Sequence, residues 1–175
     1  MSNGMRIVFA CGGERTGKSV LTKTFESKGW TYFHFDPPKG SPYKEYRGFL
    51  DNVLKNPANA DKNFIIDRYM YCEFPYSKHF GRSTDMTVGK MHEIERGILA
   101  LDPAACVIYC ENDIDVNWEL ICAEGKREFR SKEEVLKLRG DYRKILNQTM
   151  LTRIDYDFTS GAEPEDIYEK VVSMR

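Results

Sequence analysis

The chain has 175 residues, 41% of them hydrophobic and 30% charged, with 26 lysines and arginines set against 27 aspartates and glutamates for a formal net charge of −1. That length and apolar content suit one globular domain over residues 1–175 with a core of its own. The balanced charge leaves none of the strongly basic footprint that holds duplex nucleic acid, and no apolar run approaches the ~20 residues of a membrane span, so neither nucleic acid nor a membrane is an expected partner.

Met5 to Cys11 is the first predicted strand. It runs directly into Gly12-Gly13-Glu14-Arg15-Thr16-Gly17-Lys18-Ser19, which satisfies the G-x-x-x-x-G-K-[ST] phosphate loop in full. Such a loop curls its N–H groups inward onto phosphate oxygens, sends its lysine to the β/γ-phosphates and offers its serine hydroxyl to Mg²⁺ at the start of a helix. Gly12 to Ser19, with Val20 beyond them, are therefore the expected ATP contacts, and Ser19 the expected Mg²⁺ ligand. A predicted helix over 18–28 follows, its apolar face read as Val20, Leu21, Thr24, Phe25 and Lys28.

Further strands are expected at Trp30–Phe35, Phe64–Asp67, Ala105–Cys110 and Arg153–Phe158, and further helices over 43–55, 84–101, 114–124, 131–150 and 163–174. The helix from 131 opens on Ser131 with Glu134 three residues later, a capping box. Strands separated by helices imply an α/β fold, a five-stranded parallel sheet with helices on both faces and ligands at the carboxyl ends of the strands. The apolar stripe Val88, Met91, Ile94, Ile98 suits either a core face or a dimer face. Five cysteines form no CxxC pair, and an odd number reads as reduced thiols; Cys106 and Cys110 suit core packing. Met1-Ser2-Asn3-Gly4 lacks the features of a targeting segment, so the expected location is the cytoplasm.

This order brings three polar segments to one rim: the phosphate loop, His34-Phe35-Asp36-Pro37-Pro38 after the second strand, and Asp67-Arg68-Tyr69 after the third. Asp67 is placed to hold Mg²⁺ or to take a proton from an attacking hydroxyl. The three histidines show no metal-ligand spacing and receive no site.

The residues Gly13-Glu14-Arg15-Thr16-Gly17-Lys18-Ser19 and the Asp67-Arg68-Tyr69 triplet resemble the thymidylate kinases, and more loosely the deoxynucleoside kinases of the same fold. The loop is similar to the class that keeps its catalytic arginine inside it, and the triplet to that family's D-R-[YH] motif. The resemblance implies that Glu14 approaches the acceptor sugar, that Arg15 bridges the transferring phosphoryl group and that Arg68 binds the acceptor phosphate. It also implies a homodimer. A lid candidate spans 124–131, where Glu124-Gly125-Lys126-Arg127-Glu128-Phe129-Arg130 offers Arg127 and Arg130 as further catalytic cations; a charged turn between surface helices reads the same way. The family's F-P-x-R stretch is incomplete here: Phe35 and the prolines are present without the arginine, for which Lys39 or Arg47 can substitute. Tyr69 to Arg82, with Phe74 and Tyr76 among its aromatics, offers walls for a base, and Tyr43, Tyr46 and Phe49 form a rival platform.

The expected function is ATP-dependent transfer to a deoxynucleoside monophosphate, dTMP or a related, even modified, pyrimidine. The alternatives are a deoxynucleoside kinase, a kinase of a hydroxymethylated base or polynucleotide end, and a regulatory module that only binds nucleotide.

Overall fold

The computed structural model describes residues 4–125 and 128–174. In chain order the elements are β1 (Arg6–Cys11), α1 (Lys18–Ser27), β2 (Thr31–His34), α2 (Pro42–Phe49), β3 (Asn63–Asp67), α3 (Met70–His79), α4 (Val88–Leu101), β4 (Cys106–Cys110), α5 (Ile114–Glu124), α6 (Lys132–Leu146), β5 (Thr152–Tyr156) and α7 (Pro164–Ser173). The strands form one five-stranded sheet in the order β2-β3-β1-β4-β5, and every pairing is parallel. The expected fold class is what forms. Among the described residues, no helix is long and apolar enough to cross a membrane.

Successive strand residues face opposite ways, and both faces are covered, which is why the inner strands read as continuous apolar runs. Ile7, Phe9, Cys11, Phe64, Ile66 and Val107 pack beneath residues of α2 to α6, among them Phe49, Met70, Met91, Ile121 and Tyr142. Val8, Ala10, Ile65, Cys106 and Ile108 pack instead with Leu21 and Phe25 of α1 and Ile167 and Val171 of α7. Each face therefore draws on alternate residues of the same strands.

Several expected details change. α1 buries Lys18, Leu21, Thr22 and Phe25, whereas Val20 is 59% exposed, so its inward face is rotated by one residue from the predicted stripe. The helix expected over 43–55 stays α-helical only to Phe49. It then widens into a π turn over Leu50–Leu54, closed by the Lys55 N–H donating to the Leu50 carbonyl at 2.9 Å. α4 starts at Val88, four residues later than expected, because Thr87 caps it through the Lys90 N–H. α6 ends at Leu146 and not at 150. Met91, Ile94 and Ile98 are fully buried, so the stripe on α4 is a core face. α3 occupies a segment for which no helix was expected. It buries residues all round, Met70, Tyr71, Cys72, Glu73, Pro75, Tyr76 and Ser77, so no period of 3.6 marks it.

Candidate functional site

β1 ends at Cys11, and the chain must then turn tightly enough to aim its N–H groups at a common point. Gly12 does this at φ 141, where a Cβ would lie 2.2 Å from the Cys110 carbonyl oxygen. Gly17 caps α1 at φ 87, where a Cβ would meet the Phe158 ring at 2.8 Å. No other residue fits at either position without moving backbone or ring. The first turn of α1 then opens onto the loop, and its unpaired N–H groups make an anion site.

The loop carbonyls are held from three later elements. Asn117 Nδ2 of α5 donates to the Glu14 and Arg15 carbonyls at 2.8 and 3.1 Å, and Asn112 Nδ2 donates to Arg15 at 3.1 Å. Tyr142 of α6 donates its hydroxyl to the Gly12 carbonyl at 3.1 Å, and burial raises its pKa well above the usual phenol value, so it stays a donor. Arg139, also on α6, fixes Asn112 through its carbonyl at 2.6 Å and its Oδ1 at 2.9 Å. Sequence reading missed these braces, because each joins residues far apart in the chain.

Lys18 is 7% exposed and donates to the Gly12 and Gly13 carbonyls at 2.9 and 2.6 Å, so its ammonium already sits in the cradle. Thr16 Oγ1 closes the loop by donating to the Gly13 carbonyl at 2.9 Å. Arg15 and Arg68 both hold left-handed backbone, at φ 56 and φ 59, the two described non-glycine residues to do so. Strain of this kind gathers where function fixes a side chain. The Arg15 Nε donates to Glu124 Oε2 at 2.7 Å, and this hydrogen bond, at the end of α5, raises the pKa of Arg15 further. Arg68 pairs with Glu14. Burial works most strongly against the charge of Arg68, but the nearby Glu14 carboxylate together with Tyr76, Cys72 and Asp67 more than offsets it, and the guanidinium stays firmly protonated.

Asp67 ends β3 beside the loop, opposite both Ala10 and His34 in the sheet register. Its Oδ2 lies 3.1 Å from His34 Nδ1 and accepts from the Tyr32 hydroxyl at 3.4 Å. Burial, with Asp67 adding to it, pushes the Tyr32 phenol up to about 12. The Asp67 Oδ1 atom is buried with no hydrogen-bond partner. Among the described residues, no cluster of three or more His, Cys, Asp or Glu could hold a metal. Mg²⁺ does not require such a cluster, since it keeps several waters and binds through one or two protein oxygens together with substrate phosphates. The Ser19 hydroxyl and the unpartnered Asp67 oxygen are a donor set of that kind.

A cavity of about 690 Å³ opens over the loop, lined by residues 14–20 together with Tyr32, His34, Asp67, Arg68 and Glu124, and walled beyond by Phe158 and Pro164. A second cavity, of about 230 Å³, lies beneath Phe35 and Tyr46 and is lined also by Glu73, Tyr76, Phe80 and Arg82. Arg68 lines both. Other expected site residues stand elsewhere. Tyr69 is fully buried, stacked on Phe9 at 5.0 Å, with its hydroxyl donating at 2.5 Å to the Tyr46 carbonyl, so it supports the wall from behind. Phe74 packs against the core, Arg47 pairs with Asp51 and Glu93, and the Lys39 side chain is on an exposed turn; none of the three lines either cavity. Of the lid candidate, Lys126 and Arg127 lie outside the described residues. Phe129 is buried with its ring 4.7 Å from that of His79, and Arg130 is exposed, its N–H donating to Glu134 at 2.8 Å. Sequence reading missed His34, Tyr32, Glu73 and Arg82 as site residues; the end of β2 carried the signal for His34.

No protein-family model matches the chain, and no curated protein matches it by sequence. Solved structures do match in shape. The YorR protein of Bacillus subtilis, in complex with phosphorylated GDP, is 18% identical, with 95% of this chain and 93% of that one covered at a TM-score of 0.74. A deoxyadenosine kinase from M. mycoides, with dCMP and dCDP bound, is 17% identical over 97% of this chain and 100% of its own, at 0.57. Thymidylate kinase from Candida albicans is 14% identical over 97% and 90%, at 0.52. The chain thus has the fold of the P-loop nucleotide kinases, with thymidylate kinase among its structural neighbours.

Proposed function

We propose that this protein transfers the γ-phosphoryl group of ATP to a deoxynucleoside monophosphate; dTMP or a related pyrimidine is the acceptor that the family resemblance alone implies. The observation that carries this reading is the position of Arg68. A fixed cation faces the phosphate-loop cavity on one side and an aromatic-walled cavity on the other, where the phosphate of an acceptor would meet the end of the donor.

Lys18 and the N–H groups opening α1 would hold the β- and γ-phosphates. Ser19 and Asp67 would hold Mg²⁺, which when bound neutralises charge on the transferring group. Arg68 would bind the acceptor phosphate, and Arg15, released from Glu124, would lie along the phosphoryl path. An acceptor phosphate oxygen then attacks the γ-phosphorus, the bond to the β,γ-bridging oxygen breaks, and ADP leaves. Since the acceptor oxygen is already ionised, the step needs no strong base, and catalysis consists of alignment and charge stabilisation. Segment 124–131 would act as a lid that excludes water.

One observation favours a second reading. Glu14 already neutralises Arg68, and a carboxylate so close to the acceptor cavity suits a nucleoside hydroxyl that must lose a proton. ADP release in ATP and Mg²⁺, measured across nucleosides, nucleoside monophosphates and oligonucleotides, tests both. Turnover with monophosphates above all supports the first reading, turnover with nucleosides supports the second, and tight ATP binding without acceptor-dependent ADP overturns both.

A further inference from the structure

The small cavity beyond Arg68 contains a carboxylate whose bonding is incomplete. Glu73, on α3, is 2% exposed; its Oε2 accepts from Arg82 Nη2 at 3.3 Å, and its Oε1 is buried with no hydrogen-bond partner. The Tyr76 hydroxyl, which lines the same cavity, is also buried without a partner. A buried acceptor left unpaired is costly, and one that faces a cavity is placed to take its missing donor from whatever occupies that cavity. Tyr76 and Phe80 lie one over the other, centroids 5.9 Å apart and 17° from parallel, and give the cavity a flat apolar wall of the sort a base stacks on.

We propose that Glu73 and Arg82 select the base of the acceptor, and that this base carries an exocyclic amino group beside an unprotonated ring nitrogen, as cytosine and adenine do. This rests on the reading that the acceptor phosphate sits at Arg68. The amino group donates to Glu73 Oε1, and the neighbouring ring nitrogen accepts from the Arg82 guanidinium, which has N–H donors beyond the one it gives to Glu73. A keto oxygen in the amino group's place, as in thymine, would set its lone pairs against the carboxylate, whereas guanine, with its 2-amino group beside N3, belongs with the amino-bearing bases. Thymine could still offer its ring N–H to Glu73, but with a carbonyl oxygen on each side of it facing the anion. A site built around a charged acceptor discriminates strongly against a ligand that leaves it unpaired. Among pyrimidine nucleotides, the pair therefore favours dCMP over dTMP.

The test is calorimetric binding of dCMP, dAMP, dGMP and dTMP to the full chain without ATP, beside ADP release with each in ATP and Mg²⁺. We expect dCMP, dAMP or dGMP to bind and react about ten- to a hundredfold better than dTMP, the range for one charge-assisted hydrogen bond. The three amino-bearing nucleotides compared with one another show whether a single ring or a double ring fits. Glu73→Gln preserves the volume but gives the site a donor for a keto oxygen, and it should cut that preference by tenfold or more. Should that variant fail to fold, Arg82→Ala, changed at the exposed rim, makes the same comparison and should also narrow the ratio. Tighter binding of dTMP than of the amino-bearing nucleotides, or a ratio unmoved by these substitutions, overturns the assignment. Efficient transfer to dTMP in that case leaves the kinase reading standing, whereas amino-selective binding without ADP release supports the pocket and sinks the kinase reading.

Discussion

Removing the guanidinium of Arg68 is the most direct test of where the acceptor lies. A charge-assisted hydrogen bond to a phosphate contributes about 1.5–3 kcal/mol. Arg68 is not idle without substrate, however, because Glu14 pairs with it at side-chain exposures of 29% and 20%. A partly exposed pair of this kind contributes about 0–1 kcal/mol, which an incoming phosphate must give up. The net advantage of the phosphate is then roughly 0.5–3 kcal/mol, about two- to 160-fold. Arg68→Ala should lower kcat/KM for a nucleoside monophosphate by that factor and change the value for the matching nucleoside much less. In a Glu14→Gln background no ion pair has to be displaced, so the same substitution should cost up to about fivefold more. The assay is steady-state ADP release against acceptor concentration for the four proteins of the cycle. An equal loss on nucleoside and monophosphate would refute the placement of the acceptor phosphate at Arg68, whatever the size of the loss.

Lys18→Ala should leave a cooperative thermal transition, since only two loop carbonyls lose a donor, while acceptor-dependent ADP release falls by about 10²- to 10³-fold; full activity in the folded variant would remove the phosphate-loop reading. Arg15→Ala should lower kcat by a similar factor with little change in acceptor KM, the pattern of a contact made only in the transition state, and Arg130→Ala should be milder; the reverse order would transfer the role to the lid. Of the five cysteines, Cys122 alone is exposed, and burial pushes the thiols of Cys106 and Cys110 up to about 12 and raises those of Cys11 and Cys72 as well. Raised values keep thiolate scarce below pH 9, so iodoacetamide at pH 8 should label one site in the native protein and five once it is unfolded, read by intact mass.

The strands were legible in the sequence because each is an apolar run closed by a polar or turn residue, and the phosphate loop because its chemistry requires fixed residues at fixed spacing. α3 was not. Its aromatic content suggested a binding wall, but a helix buried on every side leaves no periodic stripe, and Pro75 inside it argues against a helix. Glu73 was lost with it, since a lone acidic residue among aromatics has no spacing to mark it. Tyr69 was misplaced for a related reason: it follows two residues that do line the site, but the change of direction at Arg68, with φ at 59°, turns its ring into the core. The braces from Asn117 and Tyr142 were out of reach because they join residues more than a hundred positions apart, and that of Arg139 because it acts on the loop only through Asn112.

Those distances bear on how the protein is made. β1 and the phosphate loop are synthesised before the elements that hold them, since β1 is flanked on one side by Asn63–Asp67 and on the other by Cys106–Cys110, and the Gly12 carbonyl waits for the hydroxyl of Tyr142. Until residue 110 has been synthesised β1 presents at least one unpaired apolar edge, and until Tyr142 follows the loop has its sequence but not all its walls. Parallel pairings of this span form slowly and expose sticky edges while they wait. A nascent chain stalled before residue 106 would therefore carry the complete nucleotide-binding motif with no capacity to bind nucleotide, and competence would arrive late and all at once as α6 closes over the loop.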